Sequence, residues 1–195
     1  MAETKNVKIA TGVRALRFAK ITEDNKDTLT IEPIITVAED LLQKFSVQPE
    51  SSMEKIPASN KTVAVLSAKN GGKVSIELAS LPEELDLAIQ GATKDADGLI
   101  TYTSEDISPY FAVSAEITYN DGTFAMIGLG KVAFELINIE AETAEDKAKP
   151  QSHKLEGQVL DRINGVSWYK VKMSSDEAGF DKAKFDAKVF KTATI

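Results

Sequence analysis

Residues 72–98 read GKVSIELASLPEELDLAIQGATKDADG, and the order of patterns in this stretch decides the fold class. Apolar residues at positions 74, 76 and 78 alternate with polar or small residues at positions 75, 77 and 79. Because successive side chains of a strand point to opposite faces of a sheet, this alternation predicts a β-strand with one buried face. The stretch therefore begins inside a sheet.

A short helix is predicted directly after this strand, over about residues 81–90, where apolar residues recur at helical spacing. Ser80 and Glu83 have the spacing of a capping box, and Gly91 is placed to end the helix. The Asp- and Gly-rich residues 95–98 then predict a turn. A strand that runs into one short helix and a turn is thus the local plan.

Alternating patterns of the same kind recur along most of the remaining chain. They predict strands at residues 16–21, 29–31, 63–65, 111–119, 124–127, 131–139, 155–160, 166–173 and 183–190. Turn signals at Asn70-Gly71-Gly72 and Asn120-Asp121-Gly122 separate some of them. With 195 residues, a single domain over residues 1–195 is expected. The sequence predicts a mainly β (α+β), mainly antiparallel domain with one short helix.

Two long polar segments are predicted to be loops. Residues 48–61 contain two prolines, three serines and few apolar residues, and residues 140–154 are polar throughout. Structureless connections of this length are uncommon in a compact domain, and those that occur are usually functional or mobile. These two loops are therefore the main candidates for functional segments.

The net charge of −7 argues against a protein that grips nucleic acid, because phosphate binding needs clustered Lys and Arg. The charge is uneven: residues 147–195 contain ten Lys or Arg and six Asp or Glu, a balance of +4, so residues 1–146 carry −7 − 4 = −11. This asymmetry fits either a chance distribution over a solvated surface or the attraction between opposed faces of a self-stacking subunit.

Residues for catalysis or for metal binding are scarce. The chain has no cysteine, which removes thiol nucleophiles and zinc–thiolate sites and favours assembly in a reducing cytoplasm. Its one histidine, His153, falls in the second polar loop, and the chain has no second histidine and no thiol from which to build a nucleophilic triad. The Asp95–Gly98 turn lacks the remaining ligands of a calcium loop. We expect no enzymatic activity, no cofactor and no metal, and the apolar runs are too short for a membrane anchor.

The pattern of residues 72–98 resembles that of the major tail proteins, or tail tube proteins, of long-tailed, non-contractile bacteriophages. Further segments with matching order and spacing are Pro109–Val113, Asn120–Thr123, Lys131–Phe134, Leu155–Val159, Phe180, Phe185 and Val189–Phe190. The resemblance runs from about Gly12 to Phe190. It implies an antiparallel β-sandwich or barrel of the tail-tube type, and it favours an extended conformation for residues 36–45, whose apolar spacing by itself slightly favours a helix.

The resemblance also implies a function and a set of partners. Tail tube subunits form hexameric rings that stack into a hollow tube around a tape-measure protein, and the tube later carries the genome into the host cell. The expected partners are therefore other copies of the chain, the tape-measure protein, the tail terminator and the distal tail protein. DNA is expected as transiting cargo without specific binding. The expected location is the virion tail, after assembly in the host cytoplasm.

In such a subunit, we expect the two polar loops to become ordered through contacts between subunits or rings. The candidate assembly residues are Ser51, Met53 and Ile56 in the first loop and Glu142, Asp146 and Lys149 in the second. The alternative for either loop is a tolerated surface connection without a role.

Other functions remain open at this point. A carbohydrate- or surface-binding β-module would need an exposed aromatic platform, which an aromatic content of 7% does not suggest. An acidic hydrolase would have to draw on scattered carboxylates. Within the structural class, the inner tube of a contractile tail or of a phage-like bacteriocin is the alternative. Trp168 is expected to pack in the core, with a subunit contact as the second interpretation.

Overall fold

The computed structural model describes residues 7–58, 61–138 and 152–191, and for residues 52–58 and 61–70 it describes the backbone. The strands are β1 (Ala10–Asp24), β2 (Leu29–Ile31), β3 (Ile35–Thr36), β4 (Leu42–Ala58), β5 (Lys61–Leu78), β6 (Thr93–Lys94), β7 (Ile100–Thr101), β8 (Tyr110–Tyr119), β9 (Phe124–Phe134), β10 (His153–Leu160) and β11 (Lys170–Ser174). The helices are α1 (Glu83–Gln90) and α2 (Lys182–Phe190), and Glu39–Leu41 form a single 3₁₀ turn.

The main sheet is antiparallel throughout its described pairings and has the strand order β2-β1-β8-β9-β10-β5-β4. Strand β11 pairs with β9 beyond the end of β10, and β3 pairs with β1. Strands near both ends of this order contact one apolar cluster, through Leu16 of β1 and Val47 of β4. The sheet therefore curls around this cluster into a barrel-like sandwich, as predicted.

Two apolar clusters lie on opposite faces of the sheet. The inner cluster lies inside the curled sheet, and α1 adds Leu85 and Ile89 to it. The outer cluster lies between the sheet and α2, which contributes Phe185, Val189 and Phe190. Strand β8 separates the two clusters, and its buried even-numbered residues Ala112, Ser114 and Glu116 lie on the side of α2.

Helix α2 corrects the prediction of a strand at residues 183–190 and makes the number of described helices two instead of one. Asp181 caps the helix by accepting hydrogen bonds from the amides of Ala183 and Lys184. Phe185 and Val189, four residues apart, then share the face that packs on the sheet. The alternation of apolar and charged residues in this segment is compatible with a strand and with a helix. The N-cap and the packing against the sheet stabilise the helix.

Ion pairs fix α2 to the sheet alongside these apolar contacts. Arg17 of β1 forms a two-bonded pair with Asp186, at 3.0 and 2.7 Å, and also donates to Ser114 Oγ. Glu116 of β8 accepts from Arg14 and lies 3.5 Å from Lys182 Nζ. Because a bidentate Arg–carboxylate pair requires one mutual orientation, these contacts define how the helix lies across the strands.

The predicted loop at residues 48–61 is wrong, because residues 42–58 and 61–78 form the long antiparallel hairpin β4–β5. Strand β4 is an edge strand, and proline is tolerated at an edge because its missing amide has no neighbour to pair with. The pairing register shifts at Pro49 and again at Pro57, which accommodates both prolines as bulges.

The predicted turn at residues 70–72 is also wrong, since β5 runs straight through it. Gly71 has φ +80°, and a Cβ there would lie 2.0 Å from the carbonyl oxygen of Val159. At Gly72, a Cβ would lie 2.5 Å from the carbonyl oxygen of Gln48. The two glycines thus allow β10 and β4 to approach β5 closely from its two sides.

Helix α1 and the extended conformation of residues 36–45 are confirmed, apart from the 3₁₀ turn. Gly91 ends α1 in the left-handed conformation with φ +69°, as predicted, but the capping box is not formed because Pro82 occupies the N-cap position. His153 is the first residue of β10 and not part of a loop, while β9 ends at Phe134 instead of continuing to residue 139. Most of the predicted loop at 140–154 lies outside the described residues.

Candidate assembly surface

The outer part of the β4–β5 hairpin, residues 51–58 and 61–69, is separated from the rest of the sheet. Strand β10 pairs with β5 only from Gly72 to Leu78, and for residues 51–69 the described pairing partner is the other strand of the hairpin. We call this part the arm. Nine residues of strand at ~3.3 Å each give the arm a length of roughly 30 Å, enough to reach a neighbouring molecule.

Strand β4 also has an open edge. In the described part of the chain its ladder partner is β5, so its other edge presents backbone N–H and C=O groups without a strand partner. Such an edge is a ready template for pairing with another chain. The arm and this edge together leave the hairpin open to pairing with another chain.

A polar groove of about 420 Å³ lies across β4, β5 and β10. Its charged groups form pairs along the strands: Lys44 lies 3.0 Å from Glu77, and Lys154 lies 2.5 Å from Glu156. The ion pair raises the pKa of Lys154 and lowers that of Glu156. Lysines and carboxylates alternate here, so this face is balanced in charge and offers no concentrated field for an anion or a cation.

Buried charges form a second cluster, where β1 ends. Asp24 accepts hydrogen bonds from Lys131 Nζ at 3.0 Å and from the amides of Asn164 and Ile163. Burial by itself would raise the pKa of Asp24, but these hydrogen bonds outweigh it, and the pKa of this carboxyl lies below its ordinary value. Asp24 therefore anchors the connection between β10 and β11.

Arg162 occupies the interior of the same connection. It is 1% exposed, donates to the carbonyl oxygen of Val189 at 2.8 Å and stacks on Trp168 at 5.0 Å. Burial lowers its pKa to about 10. A cation at the carbonyl end of a helix opposes the negative end of the helix dipole, so Arg162 holds the end of α2. The pKa shifts of Asp24 and Arg162 therefore reflect contacts that stabilise the fold. Trp168 lies partly buried against the outer cluster, as expected.

Replacing Asp24 with Asn should lower the free energy of unfolding by about 1–2 kcal/mol at pH 7, since Lys131 loses its charged partner. A depressed folded-state pKa stabilises the protein above the unfolded pKa, and this contribution is lost as pH falls through the folded value. The difference between variant and wild type should therefore shrink below pH ~4. Urea unfolding at pH 7 and pH 3 measures this difference, with Asp27→Asn, in the exposed turn that follows β1, as control. An equal difference at both pH values would contradict the assignment.

A comparison of the sequence with models of known protein families identifies the family of this chain. The family model for "Phage tail tube protein" matches residues 49–194, well over half of the sequence. The chain belongs to the phage tail tube protein family. The prediction from the resemblance is thereby confirmed, and the protein is a structural component of a phage tail.

Among solved structures, the tail tube chain is similar to a chain in the cryo-EM structure of the anti-feeding prophage baseplate, with 10% identity and a TM-score of 0.48. The similarity covers 88% of this chain and 99% of that one. No protein of curated function matches the sequence.

The first three predicted assembly residues lie in the arm of this tail tube protein. Ser51, Met53 and Ile56 pair in register with Lys69, Ser67 and Ala64. The structure thus brings them together on one strand of the hairpin. Glu142, Asp146 and Lys149 lie outside the described residues. The sequence carried no signal for the open edge of β4, because the two prolines in it indicate a loop as readily as an edge strand.

Neither a metal centre nor a membrane span is found in the described part of the tail tube chain. Across residues 7–58, 61–138 and 152–191, no group of three or more His, Cys, Asp or Glu side chains is arranged to hold a metal ion. In the same ranges, no helix has the length and apolar character needed to cross a bilayer.

Proposed function

We propose that this tail tube protein, as one domain over residues 1–195, assembles into hexameric rings that stack into the hollow tube of a long, non-contractile phage tail. The arm carries the proposal. It extends roughly 30 Å beyond the strands that support it, and its described backbone pairing is confined to the hairpin itself. An isolated two-stranded hairpin is marginally stable in water, so contact with a neighbouring subunit would stabilise it.

The open edge of β4 supports lateral contact within a ring. At the other end of the strand order the edge strands β2 and β3 are three and two residues long, whereas β4 has 17 residues. Short edge strands limit uncontrolled pairing, and a long open edge invites pairing. Sheets of neighbouring subunits joining along such an edge would close a ring when the rotation between copies closes.

The acidity of the chain supports a conduit for DNA. A hexameric ring of chains with net charge −7 carries 6 × −7 = −42 formal charges. A lumen lined by a share of these charges repels the phosphates of the duplex, which is the reverse of binding by counterion release. At physiological ionic strength the repulsion extends ~8 Å from the wall, which suffices where duplex and wall run close together.

The proposal includes the partners that the family implies. The tube would enclose a tape-measure protein and would end at a tail terminator and at a distal tail protein. DNA would be transiting cargo on its way into the host cell, with no specific site on the chain. Assembly would take place in the host cytoplasm, the subunit would have no enzymatic activity, and its location would be the virion tail.

Negative-stain electron microscopy of the purified protein at low and high concentration tests this function. We expect hollow tubes, or six-subunit rings, with a fraction that rises with concentration. A monodisperse monomer at every concentration, both alone and with added tape-measure protein, would overturn the proposal.

A further inference from the structure

The end of the molecule that carries α1 exposes three large apolar side chains. Leu99, Tyr102 and Ile107 are 65%, 46% and 83% exposed. All three belong to residues 93–108, which follow α1 along the chain. We call the surface formed by α1 and residues 93–108 the α1 end. Among the described residues, three of the ten exposed large apolar side chains fall in this one segment.

Specific contacts hold the α1 end in one shape. Lys94, in the small hairpin β6–β7, forms an ion pair with Glu83 at the start of α1. The hydroxyl of Tyr102 donates to Asp86 at 3.4 Å. At Gly91, a Cβ would lie 2.6 Å from the carbonyl oxygen of Ile107, so the segment packs directly against the end of the helix. The surface is therefore formed before any partner arrives.

The charge of the α1 end is strongly negative. Residues 83–106 contain one lysine and seven acidic residues, a balance of −6. The acidic residues are Glu83, Glu84, Asp86, Asp95, Asp97, Glu105 and Asp106. The partner that fits a surface of this kind combines apolar groups with positive charge.

The outer part of the arm has this complementary composition. Residues 55–69 contain Lys55, Lys61 and Lys69 and no acidic residue, a balance of +3. The same stretch includes Ile56, Val65 and other apolar residues at positions 63 and 66.

The arm and the α1 end lie at opposite ends of one strand. Strand β5 leaves the arm at Gly71 and runs to Leu78, after which the chain enters α1 at Glu83. A chain cannot fold its own arm onto its own α1 end while β5 is extended between them. A contact between the two surfaces therefore needs a second copy, and repetition of a head-to-tail contact generates an open assembly.

We propose that the α1 end is the docking surface for the arm of a second copy of this chain. This inference rests on the proposed function and names the surface through which successive copies are joined. The apolar and acidic composition of the α1 end matches the apolar and basic composition of residues 55–69. Because part of the attraction is between exposed charges, the contact weakens as ionic strength rises.

The absence of cysteine from the sequence allows a direct test by disulfide cross-linking in the full chain. Ile107→Cys and Ala58→Cys are combined in one protein, which is assembled and oxidised. We expect a ladder of covalent oligomers beyond the dimer. Each copy would carry one thiol on its arm and one on its α1 end, so each copy could be linked to two others. Each single variant can yield a dimer at most. The matched control combines Ala58→Cys with Val166→Cys, since Val166 is 82% exposed on a different loop.

The outcomes separate this inference from the proposed function. Tubes with a ladder from the control pair, or from neither pair, would overturn the docking surface while leaving self-assembly intact. Absence of both tubes and ladders would overturn the two together.

Charge exchange provides a second test that does not depend on disulfide geometry. Asp97→Lys with Glu105→Lys should raise the protein concentration needed for tube formation by about tenfold or more, because like charges then face each other. Adding Lys55→Glu and Lys61→Glu should restore much of the loss. Failure of the second pair to restore assembly, with all variants folded by circular dichroism, would contradict the contact.

Discussion

Deleting residues 51–69 should abolish tube formation and leave a folded monomer. The deletion removes the arm and keeps the pair of Pro49 with Gly72, so that Glu50, Asn70 and Gly71 form a short hairpin loop. Asn-Gly is a favoured sequence for such a turn. The described pairing of the arm is internal to the hairpin, so the body keeps its strand ladders and both apolar clusters.

The expected change in stability is small for the same reason. A shorter loop costs less closure entropy, and we expect the free energy of unfolding to stay within ~1 kcal/mol of the wild-type value. Electron microscopy at high concentration measures tube formation, and urea unfolding measures the stability of the monomer. Normal tubes from the deleted protein would show that the arm has no role in assembly.

A half-length arm is the matched control. Replacing residues 55–65 by Asn-Gly keeps the pair of Glu54 with Leu66 and removes the outer part, including two of the three arm lysines. Should the arm act through its outer end, this variant will fail to assemble as completely as the full deletion does. Tubes from the half-length variant would instead assign assembly to the base of the arm or to the edge of β4.

The arm shows why sequence patterns can mark a segment as unusual without giving its structure. Residues 48–61 contain two prolines and three serines, which are typical of loops. Whether residues 48–58 form a loop or an edge strand depends on their partner, residues 61–73, and on the absence of a described strand on the other side. The local composition of the segment contains no information on its pairing partner or on its open side.

Helix α2 shows a different limit. The segment DKAKFDAKVF places apolar residues at every second position, yet Phe185 and Val189 are also four residues apart. Both periods are present, and the N-cap residue Asp181 was the local signal for a helix. The polar side of β8 that α2 covers could not be recognised in the sequence, because Ser114 and Glu116 suggest a solvated face.

By contrast, α1 and its surroundings were predictable, because strand, helix and terminal glycine follow one another within 20 residues. The sequence does not show where the charged residues lie in the folded molecule. The acidic residues of 83–106 and the lysines of 55–69 are visible as a list of charges, but only the course of β5 places them at opposite ends of the molecule.

Replacing Gly128 with Val should lower the free energy of unfolding by about 3 kcal/mol. Gly128 lies on β9 beneath α2, and a Cβ there would approach Val189 Cγ2 to 2.4 Å, Val171 Cγ1 to 3.0 Å and Phe185 Cζ to 3.1 Å. Two effects compete at this position. In a strand, replacing glycine normally stabilises a protein by about 0.5–1 kcal/mol, because the unfolded chain loses conformational freedom. The steric effect is larger here, since Val189 and Phe185 are buried side chains of α2.

Whether Val189→Ala relieves the cost of Gly128→Val therefore reports whether α2 lies on the sheet. Urea unfolding of Gly128→Val, Val189→Ala and the double variant gives the coupling energy between the two positions. Val189→Ala removes the atom that collides first, so part of the cost of Gly128→Val should disappear in the double variant. Were α2 detached from the sheet, the contact with Val171 of β11 would remain, so Gly128→Val would cost less and the two substitutions would be additive. A destabilisation that Val189→Ala relieves requires the helix to pack where Gly128 leaves room for it.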